Sequence, residues 1–353
     1  MAQNLTTRKN PQRSKASESS YSLMEFMRDF PDDETCLVWL WKTRYALNDA
    51  NEAHCPKCEE IRTFKRYTTA QQRQSWTCPV GHHIHPTAGT IFHKSSTSLQ
   101  LWFFAMYLMT STRCGISAKQ LERELGVTYK TAWRMFTLIR NVLMDDGEVA
   151  LNGTVEMDET FMGGKPRLAD KRAFAATAAA TPGMSIKQAA RKWSNETKIP
   201  GFGMAERNRV EWIDGTPKPT VTQYGKVVAR VVPSIQAATL NEHMVRHVEV
   251  DTRIYTDEVP AYRGLTKDGW KHKTVRHKES VYVDGDVHTQ QIDGFWSLVK
   301  RGIDGTHFHV SAKWLQGYLN EYAWRYYRRR KDGQGNPRPM FLEMALRSAL
   351  PIR

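Results

Sequence analysis

The stretch TVEMDETFMGG (154–164) is rich in residues that favour strands, and the candidate strand closes on an acid, Asp158. Two later stretches, GKVVARVV (225–232) and TRIYTDE (252–258), have the same character, and the second closes on Asp257. Between them, AATLNEHMVRHV (237–248) has the pattern of a helix. The order strand, helix, strand predicts a β-α-β crossover and an α/β fold.

Asp158 and Asp257 stand where ligand sites of α/β sheets gather, at the carboxyl ends of candidate strands. A third acid, Asp293, lies in HTQQIDGFWSLVKRGIDG (288–305), where it opens a predicted helix that can reach the same sheet edge. Three carboxylates so placed can hold two Mg²⁺ ions about 3.5–4 Å apart. The alternatives are a helix cap for Asp293 and ordinary surface acids at the strand ends.

Upstream of the predicted sheet, residues 54–92 contain a set of metal-ligand candidates. Cys55 and Cys58 form a C-x2-C knuckle, and Cys78 follows twenty residues later. The spacing predicts a zinc site on short β-hairpins. His82 has workable spacing for the fourth ligand, although His83 or His85 could reach instead. The alternative is three buried free cysteines without metal.

Residues 97–144 predict a DNA-binding helix-turn-helix. An apolar helix, LQLWFFAMYLMTST, is followed by a helix over Ala118–Leu125, a turn at Gly126 and a second helix that starts at Thr128. Lys130, Thr131 and Arg134 would face outward near its start, where major-groove readers sit. The alternative is a helical hairpin that does not bind DNA.

The composition limits the classes of partner. The chain has 353 residues, 40% of them hydrophobic, which is enough for a buried core. Its formal net charge is +14, so its surface attracts polyanions. No apolar run approaches the roughly 18–20 residues that span a bilayer, and the N-terminus lacks the apolar segment of a signal peptide. We therefore expect nucleic acid, not a membrane, as the partner. The five cysteines indicate a reduced, intracellular protein.

Several motifs together resemble the DDE transposases of bacterial insertion sequences, in the ISXO-like branch with an N-terminal zinc ribbon. The resemblance covers about residues 25–331, and it rests on CPKC, HPTAGTIFHKSSTSLQLWF, MDETFMGGK, FGMAER (202–207), IYTDEVPAY and HTQQIDGFWSLVKRGIDG. It implies a ribonuclease-H-like, integrase-type mixed sheet with helices. It also implies Mg²⁺-dependent strand cleavage and strand transfer at element ends, with Mn²⁺ tolerated.

Carried over by position, the resemblance implies that Asp158, Asp257 and Asp293 are the catalytic acids and magnesium ligands. Lys300 matches the basic residue of the family seven positions after the third acid, and Lys300 and Arg301 are expected to contact DNA phosphate. Two positions depart from the family pattern. The third acid is commonly Glu, or Asn in some branches, which makes Gln290 and Gln291 possible substitutes. The ribbon lacks its second C-x2-C, which makes His82 the predicted fourth zinc ligand beside Cys55, Cys58 and Cys78.

Other side chains carry weaker predictions. Arg328 and Arg329, in a basic cluster with Arg325, are expected to bind phosphate, the alternative being a solvated helix end. His277 and His288 could touch DNA or metal, or be surface histidines. Successive side chains of a strand point to opposite faces, so Glu159 and Glu258 are expected to point away from the catalytic acids and to be structural. Phe295 and Trp296 are expected in the core.

The predicted organisation runs from a basic tail to a catalytic domain and a C-terminal segment. The predicted parts are a flexible tail (1–20), N-terminal helices broken near Pro31 (21–53), a zinc ribbon (54–93), a helix-turn-helix (97–146), a catalytic domain (150–331) with a partly flexible insertion at about 165–201, and a C-terminal segment (332–353). We expect a cytoplasmic, nucleoid-associated protein that binds double-stranded DNA as a dimer or larger assembly. The alternative function is a catalytically inactive DNA-binding protein or regulator derived from a transposase.

Overall fold

The fold is taken from a computed structural model of the chain. The structure describes residues 21–47, 51–68, 74–112, 114–163, 168–212, 219–275, 285–328 and 339–352. In these segments no helix has both the length and the apolar character needed to cross a bilayer.

Two short helices at the N-terminus are separated at Pro31, as predicted. Helix α1 is Leu23–Asp29 and helix α2 is Asp33–Arg44. Ser22 and Glu25 form a capping box at the start of α1, and Asp32 caps α2 through the backbone N–H of Thr35. Both helices bury aromatic side chains against the helices described below.

Small antiparallel sheets form the region predicted as a zinc ribbon. One is a hairpin and the other has three strands in the order β3-β4-β5. The strands are β1 (Glu52–Cys55), β2 (Glu60–Thr63), β3 (Lys65–Thr68), β4 (Gln74–Thr77) and β5 (His83–Ile84). Trp76 of β4 stacks on Trp41 of α2 with ring centroids 4.8 Å apart, so the ribbon and α2 share one apolar contact surface.

The predicted helix-turn-helix pattern is present to the residue. Helix α3 (Leu99–Ser111) is followed by α4 (Ala118–Leu125) and α5 (Tyr129–Leu138), which continues into a π-helical turn. Gly126 ends α4 with a φ of +63°, a conformation that glycine adopts without steric cost. Thr128 caps α5 through the N–H of Thr131.

A five-stranded mixed sheet follows, with helices on both faces. Its strands are β6 (Thr154–Met162), β7 (Ile199–Glu206), β10 (Val227–Val231), β11 (Arg253–Thr256) and β12 (Lys271–Thr274), in the order β10-β7-β6-β11-β12. A separate hairpin consists of β8 (Arg209–Glu211) and β9 (Thr220–Gln223). Because β7 is antiparallel to both β6 and β10 and β11 is parallel to β6, β10 and β11 run in the same direction, as the predicted crossover requires.

Six helices complete the described chain. They are α6 (Leu168–Ala180), α7 (Ile186–Thr197), α8 (Ala237–His247), α9 (Gln290–Gly302), α10 (Ala312–Arg328) and α11 (Met340–Ser348). The predicted insertion thus contains a helical pair in which Phe174 packs on Trp193. Helix α8 covers one face of the sheet, while α9 and α10 cover the other.

Strand β7 was not predicted, and its glycines explain how it fits. A Cβ at Gly203 would lie 2.6 Å from the ring of Trp296 and 2.7 Å from Ile292, both of α9. The missing side chains let α9 lie directly on the sheet. Trp296 is buried here together with Phe295, as expected for core residues.

Candidate active site and thiol cluster

Asp158 and Asp257 lie side by side on neighbouring strands. In the parallel pairing of β6 and β11, Glu156 is opposite Tyr255. Continuing this register by two residues brings Asp257, directly after β11, beside Asp158 on the same face of the sheet. The charge of Asp257 accordingly acts on Asp158 and contributes to the increase in its pKa.

Asp293 joins these two acids from α9, which lies across β6 and β7. Its charge also raises the pKa of Asp158. The helix-cap interpretation of Asp293 is wrong, because Thr289 occupies the N-cap position and Asp293 lies in the first turn. The Thr289 hydroxyl donates a hydrogen bond of 3.2 Å to the Asp293 carboxylate, and the Asp293 side chain is exposed at the helix surface.

Negative charge accumulates at this edge of the sheet. Burial and the charges of Glu159, Asp293 and Asp257 raise the pKa of Asp158 to about 8. Burial, together with Asp257, raises the pKa of Glu159 to about 7. Glu159 projects to the opposite face of β6, as alternation predicts, yet its charge still reaches Asp158. A divalent cation would offset this repulsion, and the carboxylate oxygens suit Mg²⁺.

Two of the possible substitute ligands, Gln291 and His288, are engaged elsewhere in the structure. The side-chain amide of Gln291 donates to the backbone carbonyl of Glu206, which turns it toward the end of β7. His288 places Nδ1 3.2 Å from the Glu156 carboxylate, a contact within the protein. Gln290 is exposed at the start of α9, and His277 lies outside the described residues.

Lys300 and Arg301 are both exposed on α9. Lys300 follows Asp293 by seven residues, which is close to two helical turns, so both side chains lie along one face. Arg301 donates from Nε to the backbone carbonyl of Ser297, which keeps its guanidinium at the helix surface. Two cationic side chains are therefore exposed on the helix that carries Asp293.

The thiol cluster brings together the predicted zinc ligands. Atoms of Cys55, Cys58, Cys78 and His82 that can bind metal lie within 4.8 Å of one another. The Cys78 sulfur is 4.0 Å from the sulfurs of Cys55 and Cys58, and Nδ1 of His82 is 3.2 Å from the Cys58 sulfur. Tetrahedral zinc with Zn–S bonds of about 2.3 Å needs sulfurs about 3.8 Å apart, so the spacing fits zinc.

The structure also distinguishes His82 from its neighbours. His83 lies in β5, where its Nδ1 is 2.9 Å from the hydroxyl of Ser75 in the neighbouring strand β4. His85 is exposed and is not among the clustered ligands. Burial opposes ionisation of Cys78, but backbone N–H groups of His82 and Val80 lower its pKa overall. Burial and the neighbouring thiols raise the pKa of Cys58 to about 11, so the thiols are not all ionised together unless a cation binds.

The predicted DNA-reading side chains lie at the start of α5. Lys130 and Arg134 are exposed, one turn apart on the helix. Thr131 is half-buried, and its hydroxyl lies 3.1 Å from that of Thr128. The ammonium group of Lys119 lies 4.7 Å from the ring centre of Tyr129, which adds positive charge next to this surface.

The basic cluster at the end of α10 differs from its prediction. Arg328 is buried and forms ion pairs with Asp146 and Glu343, so its guanidinium is held by carboxylates and is not presented to phosphate. Arg325 is fully buried and donates to Glu321. Neither arginine is part of a solvated helix end. Arg329 lies outside the described residues.

Two side chains beside the acids were missed by the sequence reasoning. Glu156 lies two residues before Asp158 on the same face of β6, and Arg207 directly follows β7. They form an ion pair at 2.6 Å. Alternation along TVEMDET and the arginine of FGMAER were the available signals, but neither identifies the partner.

Comparison with known proteins agrees with the sequence motifs. The family described as the ISXO2-like transposase domain matches residues 150–327, which is half of the chain. An uncharacterized protein in transposable element ISH50 of Halobacterium salinarum is 29% identical over 293 residues, which cover 80% of this chain and 88% of that relative. An uncharacterized transposase-like protein of Haemophilus influenzae is 30% identical over 107 residues, 29% of this chain and 80% of that relative. The chain therefore belongs to the ISXO2-like transposase family.

Proposed function

We propose that this protein is a DNA transposase that cuts strands at the ends of an insertion sequence and joins them to target DNA. The observation that carries the proposal is the meeting of Asp158, Asp257 and Asp293 at one edge of the mixed sheet, with mutual charge repulsion. We further propose that this sheet and its helices are the ribonuclease-H-like core that the family resemblance implies.

In this proposal the three aspartates hold two Mg²⁺ ions, with Mn²⁺ accepted in their place. When bound, such ions would supply activation of an attacking water or 3′-hydroxyl and stabilisation of the leaving oxygen. Asp158 and Asp257 supply ligands from adjacent strands, and Asp293 supplies one from the first turn of α9. Asp is one methylene shorter than the usual Glu, and the direct packing of α9 on Gly203 brings the helix closer to the strands.

DNA contacts are assigned to exposed cationic side chains. Lys130, Thr131 and Arg134 would face the double helix from α5, and Lys300 and Arg301 would contact phosphate near the scissile bond. The net charge of +14 supports association with DNA. Because two element ends must be held together, we expect at least two copies of the chain in the DNA complex, acting at the bacterial nucleoid in the cytoplasm.

We assign Cys55, Cys58, Cys78 and His82 to one structural zinc ion. All four positions are protein ligands, so no site on the metal remains for a reacting water. Its role is to hold the hairpins of a region that has little apolar core of its own.

The experiment is strand cleavage of DNA that carries the ends of the element. We expect nicks that need Mg²⁺ or Mn²⁺ in the wild type and a loss of at least about 10³-fold in Asp158→Ala and Asp257→Ala. DNA affinity should change little, since phosphate contacts supply it. Glu249→Ala, which removes an exposed acid before the other end of β11, should cleave normally.

Three results would contradict the proposal. Nicking by the wild type without a divalent metal would contradict a metal-dependent site. Loss of DNA binding together with cleavage in the Asp158→Ala and Asp257→Ala variants would make the aspartates structural. Binding of the element ends without any cleavage by the wild type would favour the inactive DNA-binding protein.

A further inference from the structure

Glu156 is a fully buried acid that the proposed chemistry does not use. Its carboxylate accepts hydrogen bonds from the backbone N–H groups of Gln291, at 2.7 Å, and Ile292, at 3.2 Å. It also accepts one of 2.6 Å from Nε of Arg207. A side chain of the central strand thus holds the first turn of α9, the turn that carries Asp293.

Arg207 connects this carboxylate to the chain that leads into α9. Its terminal nitrogens donate to the backbone carbonyls of Asp286, at 2.6 Å, and His288, at 2.8 Å. Its guanidinium lies 4.8 Å from the ring centre of Tyr255 in β11. One side chain therefore contacts both strands that carry the other two aspartates and the segment before the third.

The start of α9 depends on this arrangement, because the side chain of its N-cap residue accepts no hydrogen bond from the backbone N–H groups of the first turn. The hydroxyl of Thr289 is instead bonded to the Asp293 carboxylate. The N–H groups of the first turn have no partners within the helix, and a carboxylate at a helix N-terminus is favourable. Glu156 supplies that carboxylate from a neighbouring strand.

The placement of these contacts links them to the site. Glu156 and Asp158 are two residues apart on one face of β6, and Ile292 and Asp293 are adjacent in α9. The hydrogen bond from Ile292 to Glu156 therefore joins the residue before Asp293 to a side chain two residues from Asp158. Metal ligands must be held to within about 0.5 Å of their working geometry.

We propose that Glu156 and Arg207 are positioning residues that set Asp293 against Asp158 and thereby determine the affinity of the site for divalent cations. This inference rests on the proposed function, since it concerns the same three aspartates. Groups that orient metal ligands typically change affinity or activity by about 10–100-fold when they are replaced. The Glu156–Arg207 pair should have an effect of this size although it touches no metal.

The test measures Mn²⁺ binding to the full-length, zinc-loaded protein without DNA, by calorimetry or electron paramagnetic resonance. Binding that Asp158→Ala abolishes defines the site. Glu156→Gln and Arg207→Gln should each raise the dissociation constant by about 10–100-fold. Arg207→Lys keeps the charge but loses the planar guanidinium, and its dissociation constant for Mn²⁺ should lie between those of these variants and the wild type. Amide exchange of residues 290–293 should accelerate in Glu156→Gln.

Arg347→Gln is the matched control. Arg347 also bonds a carboxylate, that of Asp146, and a backbone carbonyl, that of Leu143, but it lies on α11 away from the acids. This variant should lower the melting temperature and leave Mn²⁺ binding within twofold of the wild type. If Glu156→Gln does not fold, the Mn²⁺ affinity of Arg207→Lys is compared with that of the wild type and Arg347→Gln instead.

The outcomes separate the two proposals. Folded Glu156 and Arg207 variants with unchanged Mn²⁺ affinity would overturn the positioning role and leave the proposed function intact. Wild-type protein that binds Mn²⁺ at the aspartates but does not cut DNA would overturn the function and not the positioning role. Wild-type protein that binds no Mn²⁺ at all would overturn both.

Discussion

Glu321 and Asp158 are acids in opposite electrostatic surroundings. Glu321 is fully buried between Arg140, at 2.5 Å, and Arg325, at 2.7 Å. Burial opposes its ionisation, but the two guanidinium groups lower its pKa to about 2. Asp158 is half-buried and faces other carboxylates, and its pKa rises to about 8. The first acid lies between two guanidinium groups, whereas the charges that act on the second among the described residues are those of other carboxylates.

The difference separates a structural ionic network from a site that needs a ligand. Arg140 also lies against the rings of Phe136 and Tyr318, at 3.5 and 3.7 Å, so the network joins α5 and its π-helical turn to α10. A buried acid with its pKa raised by like charges is typical of functional sites. We therefore expect substitutions in the two regions to have different consequences, which three experiments test.

The largest effect should follow removal of zinc from the thiol cluster, where, as at the aspartates, several potentially anionic side chains lie close together. Structural zinc contributes about 10–16 kcal/mol of binding free energy to comparable small domains. Chelation or Cys78→Ser should unfold residues 54–92, while the sheet core around Met157 and Met244 persists. Loss of the Trp41–Trp76 stack should be visible in tryptophan fluorescence, with amide exchange locating the change.

Cys36→Ala provides the control for zinc removal, since Cys36 is buried but lies outside the cluster. It should retain one zinc per chain. A metal content well below one zinc in the purified wild type would contradict the assignment.

The next largest effect should be on the stability of the ionic network around Glu321. Glu321→Gln leaves two buried guanidinium groups without their carboxylate and should cost about 3–5 kcal/mol at pH 7 in denaturant unfolding. Because the folded-state pKa of Glu321 lies below its unfolded value, its ionisation stabilises the protein above about pH 4.5, and this contribution is lost as pH falls toward 2. The difference between wild type and variant should therefore shrink by about 1.4 kcal/mol per pH unit over that range.

Asp158→Asn is the opposite case. The pKa of Asp158 is raised in the folded state, so its ionisation costs stability as pH rises from about 4 to 8. The metal-free variant should be no less stable than the wild type at pH 8. Equal losses of stability in both variants would remove the distinction between the two regions.

The smallest effect should come from Asp293→Glu. In a site built around Asp, the longer side chain crowds the metals, and we expect about tenfold slower cleavage in Mg²⁺ and a smaller deficit in Mn²⁺. Cleavage rates for Asp, Glu and Asn at position 293 measure this. Equal rates for all three would show that Asp293 is not a ligand, and a faster rate with Glu would indicate a decayed site.

Local patterns were sufficient for much of the fold. The helix pair around Gly126 was predicted to the residue because caps and turns depend on a few neighbouring side chains. The strand that ends directly before Asp257, and helix α8 between the later strands, were predicted because their residues have strong local preferences. Strand β6 was predicted to close on Asp158, but it continues to Met162 because its second half pairs with β7. The cluster of three thiols and one imidazole followed from spacing, although the choice among three histidines required the structure.

Features that depend on distant partners were not predicted. Strand β7 contains Gly201, Gly203 and Ala205, which disfavour strands, and it is accommodated because α9, about ninety residues later, covers the glycines. Arg328 was expected to contact phosphate, but in the structure it pairs with Asp146, which lies 182 residues earlier. Long-range packing of this kind leaves no local pattern in the sequence.

The contact between Glu156 and α9 also has a consequence for synthesis of the chain. The two partners are 135 residues apart, and a ribosome adding about 5–20 residues per second needs roughly 7 to 27 s to make the intervening segment. During that time β6 exists without the helix whose backbone N–H groups donate to its buried acid. The same helix later covers Gly203 of β7. The edge of the sheet that carries the aspartates therefore reaches its final shape late, after most of the nascent polypeptide has left the ribosome.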